Sequence, residues 1–292
     1  MAPAPAESQA ARNAAIATLA SQQLGQVWPR VNWESPQALP TVQVLYRAIV
    51  NRFGRMSASV AAQFYDSLRN DRNVSQRYRA KVAEPLPDAV LDRAVERAFA
   101  GRVSVTLLDE DRTGDVMDDH QVPTTSDLPL EQRVPARLEG KLQRHVQQAG
   151  RDTIALNAAA DDQAFGYIRV PRGEKTCAFC IMLASRAIDV GFSGYGKSSV
   201  KWSEDEGRNI HVVTGAGRTP TASRNGLRGI GEKYHDHCDC EPMPLLAGQT
   251  EWEISPNFGD YQDKYYKASA NAGTSTDTRK ILAAMRQLYD VH

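Results

Sequence analysis

At 292 residues, with 35 basic residues against 35 acidic ones, the chain has room for one large or two modest domains and no net field drawing it to nucleic acid or an anionic membrane. The N-terminus, MAPAPAESQAARNAAI, lacks the basic start and apolar stretch of a secretory signal, and nowhere do about 18 apolar residues run together to span a bilayer. A soluble cytosolic protein without membrane contact is expected, and any role on nucleic acid falls to local patches.

The alanine-rich stretch from Ala6 to about Val27 favours helix, and Trp28, Pro29, Pro36 and Pro40 break the path beyond it. A long amphipathic helix is predicted to start after Ser35 or Pro40, with Leu45, Ile49, Phe53, Met56, Val60 and Phe64 along its apolar face. The stretch from Thr41 to Ala83 is basic, with Arg47, Arg52, Arg55, Arg69, Arg72, Arg77, Arg79 and Lys81 against Asp66 and Asp71, and Tyr65 and Tyr78 interleaved. Such a run serves nucleic acid in some proteins, but a solvated helix face or one meeting an acidic partner accounts for it more simply. Further helices are predicted near Pro87 to Ala100 and from Pro135 to about Ala160, the latter with Leu138, Leu142, Val146 and Ala149 on one face.

Between these two helices, Val103 to Leu108 reads as strand. It leads into Asp109-Glu-Asp-Arg-Thr-Gly-Asp-Val-Met-Asp-Asp-His120, which approaches a calcium loop but ends in His120 where a bidentate Glu belongs, so a solvated acidic turn is expected. From Tyr167 the pattern changes to short apolar pieces among Gly, Ser, Thr and Asn, with glycine-rich passages at Gly191 to Gly196 and Gly215 to Gly231. Gly191 to Ser198 matches the phosphate-loop expression GxxxxGK[ST], yet the residues after Ser198 make a poor helix and no Walker B strand is evident. The chain ends in a helix with Ile281, Leu282, Met285, Leu288 and Tyr289 on a single face.

All four cysteines fall in two tight pairs, Cys177-Ala-Phe-Cys180 and Cys238-Asp-Cys240, the second preceded by His235-Asp-His237. Disulfides are rare in cytosol, so paired cysteines in a chain read as cytosolic point to metal. Two thiolates separated by two residues reach one zinc ion because the intervening chain makes a tight knuckle. The two halves are separated by 57 residues. Six donors compete for four positions: either four cysteines bind and histidine stands behind them, or one imidazole replaces a thiolate. A closed four-ligand site leaves no position for water, so the zinc would be structural. No HExxH and no GxSxG is present to support proteolysis.

The string Gly166-Tyr-Ile-Arg-Val-Pro-Arg-Gly-Glu-Lys-Thr-Cys-Ala-Phe-Cys-Ile-Met-Leu-Ala-Ser-Arg186, followed after a variable loop by Tyr-His-Asp-His-Cys-Asp-Cys240 and then a proline-containing strand, resembles the minor head proteins of actinobacterial tailed phages. These are similar to the phage Mu F protein and its head-morphogenesis relatives. The resemblance covers about a quarter of the chain and is specific. Its CxxC then HxxCxC pattern implies Cys177, Cys180, His235, Cys238 and Cys240 as the metal ligands, with His237 at an unspecified position. It further implies a low-copy virion protein inside the capsid, near the portal. That protein would bind portal and major capsid protein, with packaged DNA as a further candidate partner, and assist head assembly and genome packaging or delivery. Members are often labelled capsid maturation proteases.

The expected fold is mainly α, a helical N-terminal half followed by a small loop-rich, zinc-stapled α+β domain. Expected boundaries are an N-terminal arm over 1–34, a helical domain over 35–160, the zinc-containing domain over 161–250 and a helical tail over 251–292. No catalytic residue, organic cofactor or small-molecule substrate is expected.

Overall fold

The computed structural model of the chain describes residues 5–72, 74, 77–100, 128–172, 176–185, 200–203, 208–212, 227–229, 240–274 and 277–291. They fall into two compact units: among the described residues, the first comprises 5–68, 80–100 and 128–153, and the second the remainder.

Four helices build the first unit. Helix α1 (Pro5–Val27) ends in a 3-10 turn over Trp28–Arg30. It turns Ile16, Ala20 and Leu24 inward, the spacing of one helical face. Helix α2 (Ala38–Asp71) starts two residues ahead of Pro40. That proline lies in the first turn, where backbone N–H groups have no intrahelical partner to lose. The buried stripe of α2 runs through Val42, Tyr46, Ile49, Val50 and Phe53. It is rotated from the expected face, since Met56 is exposed. Helix α3 (Asp88–Phe99) buries Leu91, Ala94, Val95 and Ala98. Helix α4 (Leu130–Ala160) starts one turn earlier than expected and carries Pro135 inside it, with Val134, Leu138, Leu142 and Val146 fully buried. Each such side chain contributes about 1.5–3 kcal/mol on leaving water. Trp33 stacks obliquely between Trp28 and Phe99, at centroid distances of 5.8 and 6.1 Å, against this core.

Two polar contacts fix how these helices meet. A Cβ built on Gly150 of α4 would lie 2.5 Å from Ser57 Oγ and 3.1 Å from the Ser57 carbonyl oxygen on α2, so the two backbones approach as only glycine allows. Ser57 is fully buried and its hydroxyl donates to Asn13 Oδ1 of α1 at 3.2 Å. Nearer the start of α4, buried His145 shares a 2.9 Å hydrogen bond between its Nδ1 and Tyr46 Oη. Burial, reinforced by Arg144 and Lys141, holds its pKa well below the ordinary 6.5.

The second unit is organised by a two-stranded antiparallel ladder. Strand β1 (Ala164–Val170) pairs with β5 (Glu241–Leu246), from Ala164 opposite Leu246 to Val170 opposite Glu241. The register shifts between Ala164 and Gly166, where Gly166 adopts φ 145°, a conformation L side chains rarely take. In β5, Pro242, Pro244 and Leu246 occupy alternate positions. The Leu246 N–H bonds Gln249 Oε1 and not β1, so the prolines fall on the side where their missing N–H costs no ladder bond. Asp161 controls the entry to β1: its carboxylate accepts from Gln163 N at 2.9 Å and its carbonyl from Ala164 N at 3.1 Å. The same carboxylate forms a buried ion pair with Arg69, whose guanidinium lies 5.0 Å over the Tyr78 ring, while Tyr78 Oη donates to Asn157 Oδ1.

Helix α5 (Ala178–Ala184) is buried at every residue and packs on β1 and on the last two helices, α7 (Phe258–Asn271) and α8 (Thr278–Tyr289). Short α6 (Glu251–Ile254) opens with a capping box between Thr250 and Glu253. On α8, Ile281, Leu282 and Met285 are buried as expected, but Leu288 is exposed. A second sheet orders β2 (Val200–Ser203), β3 (Arg208–Val212) and β4 (Leu227–Gly229) as an antiparallel meander. Thus the mainly α expectation holds, and a short strand, β4, lies within the glycine-rich passage from Gly215 to Gly231, in a region expected to be loop-rich with few strands. Among the described residues, no helix is long and apolar enough to cross a membrane.

Two outcomes follow from the helix contacts. Gly150→Ala is expected to destabilise the chain by about 1–3 kcal/mol through overpacking, read as a lowered thermal midpoint; an unchanged midpoint would mean the helices part freely. Because the folded state depresses the His145 pKa, its stabilisation is complete above the ordinary value of 6.5 and is lost as pH falls below it. His145→Gln, which keeps a hydrogen-bonding group but takes no proton, should flatten the decline in melting temperature between about pH 7 and pH 5. An equally steep decline in the variant would assign the acid sensitivity elsewhere.

Candidate functional site

The first cysteine pair folds as a single turn. Cys177 has extended backbone (φ −70°, ψ 159°) at the N-cap of α5, and its sulfur accepts the Cys180 N–H at 3.3 Å, the place a Ser or Asp oxygen usually takes. The Cys177 carbonyl accepts from Ile181 N at 3.0 Å, so the helix starts directly after it. Two residues of separation thus put both sulfurs on one turn, with Cys177 partly exposed and Cys180 buried.

The third candidate, Cys240, is buried immediately before Glu241, the first residue of β5. Glu241 is paired with Val170, the last residue of β1. Cys240 therefore lies at the end of the ladder from which the chain leaves β1 towards Cys177 and α5. None of these three cysteines is in a disulfide. Among the described residues, no three or more His, Cys, Asp or Glu side chains are grouped to hold a metal ion. His235 and Cys238 lie outside the described residues, as does His237. The chemistry of the donors suits zinc: soft thiolates, two of them on one turn with a backbone N–H already directed at sulfur.

Competing motifs stand as follows. The acidic loop from Asp109 to His120, the strand expected at Val103 to Leu108, and the phosphate-loop pattern from Gly191 to Ser198 lie outside the described residues. Two residues past Ser198 the chain enters strand β2, where a phosphate loop would open a helix. In the basic stretch, Arg47 reaches Asp88 and Asp92, both at 3.4 Å. Arg52 reaches Gln23 Oε1 and lies over Phe53, and Arg69 is spent on Asp161. Tyr65 is fully buried and Tyr78 lies beneath Arg69. These groups serve internal contacts. What sequence reasoning missed is this set of acidic and amide partners, which lie from 29 to 92 positions away with no local signal.

The family model described as VG15 protein matches residues 1–272. The gene 15 protein of Mycobacterium phage L5 is 32% identical over 114 residues, covering 36% of this chain and 38% of that protein. The gene 15 protein of Mycobacterium phage D29 is 31% identical over 107 residues, 35% of this chain and 37% of that protein. The matched stretch thus spans well under half the length of either relative. No solved structure matches.

Proposed function

The chain belongs to the VG15 protein family, a bacteriophage family, and from that membership we propose that it is a structural minor head protein of a tailed phage. In this reading it resides in the virion near the portal, binds portal and major capsid protein, and assists head assembly and genome packaging or delivery. Its role is adhesive: amphipathic helices offer partner surfaces, and one structural zinc holds the Cys177 turn and the Cys240 strand end in fixed relation. The ligands are drawn from Cys177, Cys180, His235, Cys238 and Cys240. The observation that supports the metal part is the Cys177–Cys180 turn, with its 3.3 Å N–H to sulfur contact, on the chain that leaves β1 at the ladder end next to which Cys240 stands. When bound, a four-ligand zinc supplies a cross-link and no reactive position; the residues supply the rest by packing α5 on β1.

Purified chain is expected to hold one zinc by plasma mass spectrometry, and Cys180→Ser to lose it together with cooperative melting of the second unit. A folded wild-type chain without zinc, or a variant as stable as wild type, overturns the metal part.

The virion role has its own test. Phage made without this chain should carry major capsid protein of normal processed size yet give heads defective in packaging or delivery, and wild-type virions should contain the chain. Its absence from purified virions sinks the structural reading. Unprocessed capsid protein would favour the rival, a capsid maturation protease. Steep loss of DNA affinity with salt would favour the second rival, a zinc-dependent nucleic-acid binder.

A further inference from the structure

Within the first unit a small cleft lies between α2, the segment ahead of α3, and α4. Its walls include Asn51 and Arg55 of α2, Pro85 and Leu86 of the segment, and His145 and Ala149 of α4. The segment is tied to α4 by the Ala83 N–H, which donates to Thr153 Oγ1 at 3.1 Å. Arg55 is exposed, so the cleft meets solvent on its side.

Two polar atoms of these walls are unmatched. Asn51 Oδ1 is buried with no hydrogen-bond partner. His145 is only 5% exposed; its Nδ1 is engaged by Tyr46 Oη at 2.9 Å, while its Nε2 meets no group among the described residues. A phenol hydroxyl donates readily and an imidazole nitrogen accepts readily, so Tyr46 donates to Nδ1 and the neutral ring carries its proton on Nε2. The cleft is thus bordered by one unmet acceptor and one unmet donor, each unfavourable when buried.

Size decides what can meet them. A pocket for a drug-sized ligand encloses roughly 300–1,000 Å³, whereas this cleft leaves room for about one water. We propose that the cleft is a single-water site, in which one water accepts from His145 Nε2–H and donates to Asn51 Oδ1. The water joins α2 to α4 through polar groups and gives the His145 ring its second hydrogen bond, where the Tyr46 contact alone holds one nitrogen. The site draws on residues of one unit and is independent of the metal and virion readings.

The test compares the full chain with Asn51→Leu, which keeps the volume and removes the acceptor. A crystal structure of the wild type is expected to show a water about 2.7–3.2 Å from both Asn51 Oδ1 and His145 Nε2, and the variant to lose it. In solution, magnetisation should pass from a bound water to the Hε1 proton of His145 in the wild type and not in the variant. Nitrogen spectra of the wild-type ring above pH 7 should place the proton on Nε2, a measurement that stands even if the variant does not fold. An empty cleft in the wild type overturns the proposal, as does a water retained in Asn51→Leu or a ring protonated on Nδ1. A larger molecule seated in the cleft overturns it in favour of a ligand pocket.

Discussion

The antiparallel pairing of β1 with β5 is the constraint on which the second unit depends. It joins Val170 to Glu241 across the long excursion that contains α5 and the second sheet. Closing a long loop is entropically affordable because the cost rises only about 0.6 kcal/mol per doubling of its length. What must be paid back is recovered by burial: β5 is buried at all six positions and β1 at all but Phe165. Register matters as much as pairing. A slip by one residue would turn every side chain to the other face, moving Cys240 relative to the end of β1.

Polar contacts inside each unit select among packings that apolar stripes alone leave nearly equivalent. Ser57 with Asn13, Gly150 on Ser57, and Tyr46 with His145 each permit one axial alignment of their helices. In the second unit the buried Arg69–Asp161 pair has the same character. Taking both charges out of water offsets much of their attraction, so the pair contributes more to defining the turn into β1 than to net stability. Tyr78 and Asn157 complete it, covering the guanidinium with a ring and fixing that ring by its hydroxyl.

Helix α5 has only seven residues, too few to be stable alone, and is surrounded by β1, α7 and α8. Its stability is therefore borrowed from its neighbours, and Cys177 and Cys180 sit where that borrowed order is transmitted to the loop before it.

The sequence by itself determined the long helices α1, α2 and α4, the shorter α3 and the closing α8, because a helix advertises itself through a local period of 3.6 residues. It also determined that Cys177 and Cys180 form one turn, a property of two-residue spacing. The rotation of the α2 stripe away from Met56 was not legible, since Tyr46 and Ser57 are buried through partners that periodicity does not weigh. The resemblance implied a proline-containing strand after Cys240, and β5 is that strand, but its pairing with β1, with the prolines on the unpaired side, was not legible. Helix α5 is apolar all round and so has no period to detect. Tertiary structure alone decided these elements, and decided that Arg47, Arg52 and Arg69 answer to Asp88, Asp92, Gln23 and Asp161. The reason is common to all of them: local pattern reports which face a residue would bury, whereas pairing between distant segments is set by the free energy of closing them together.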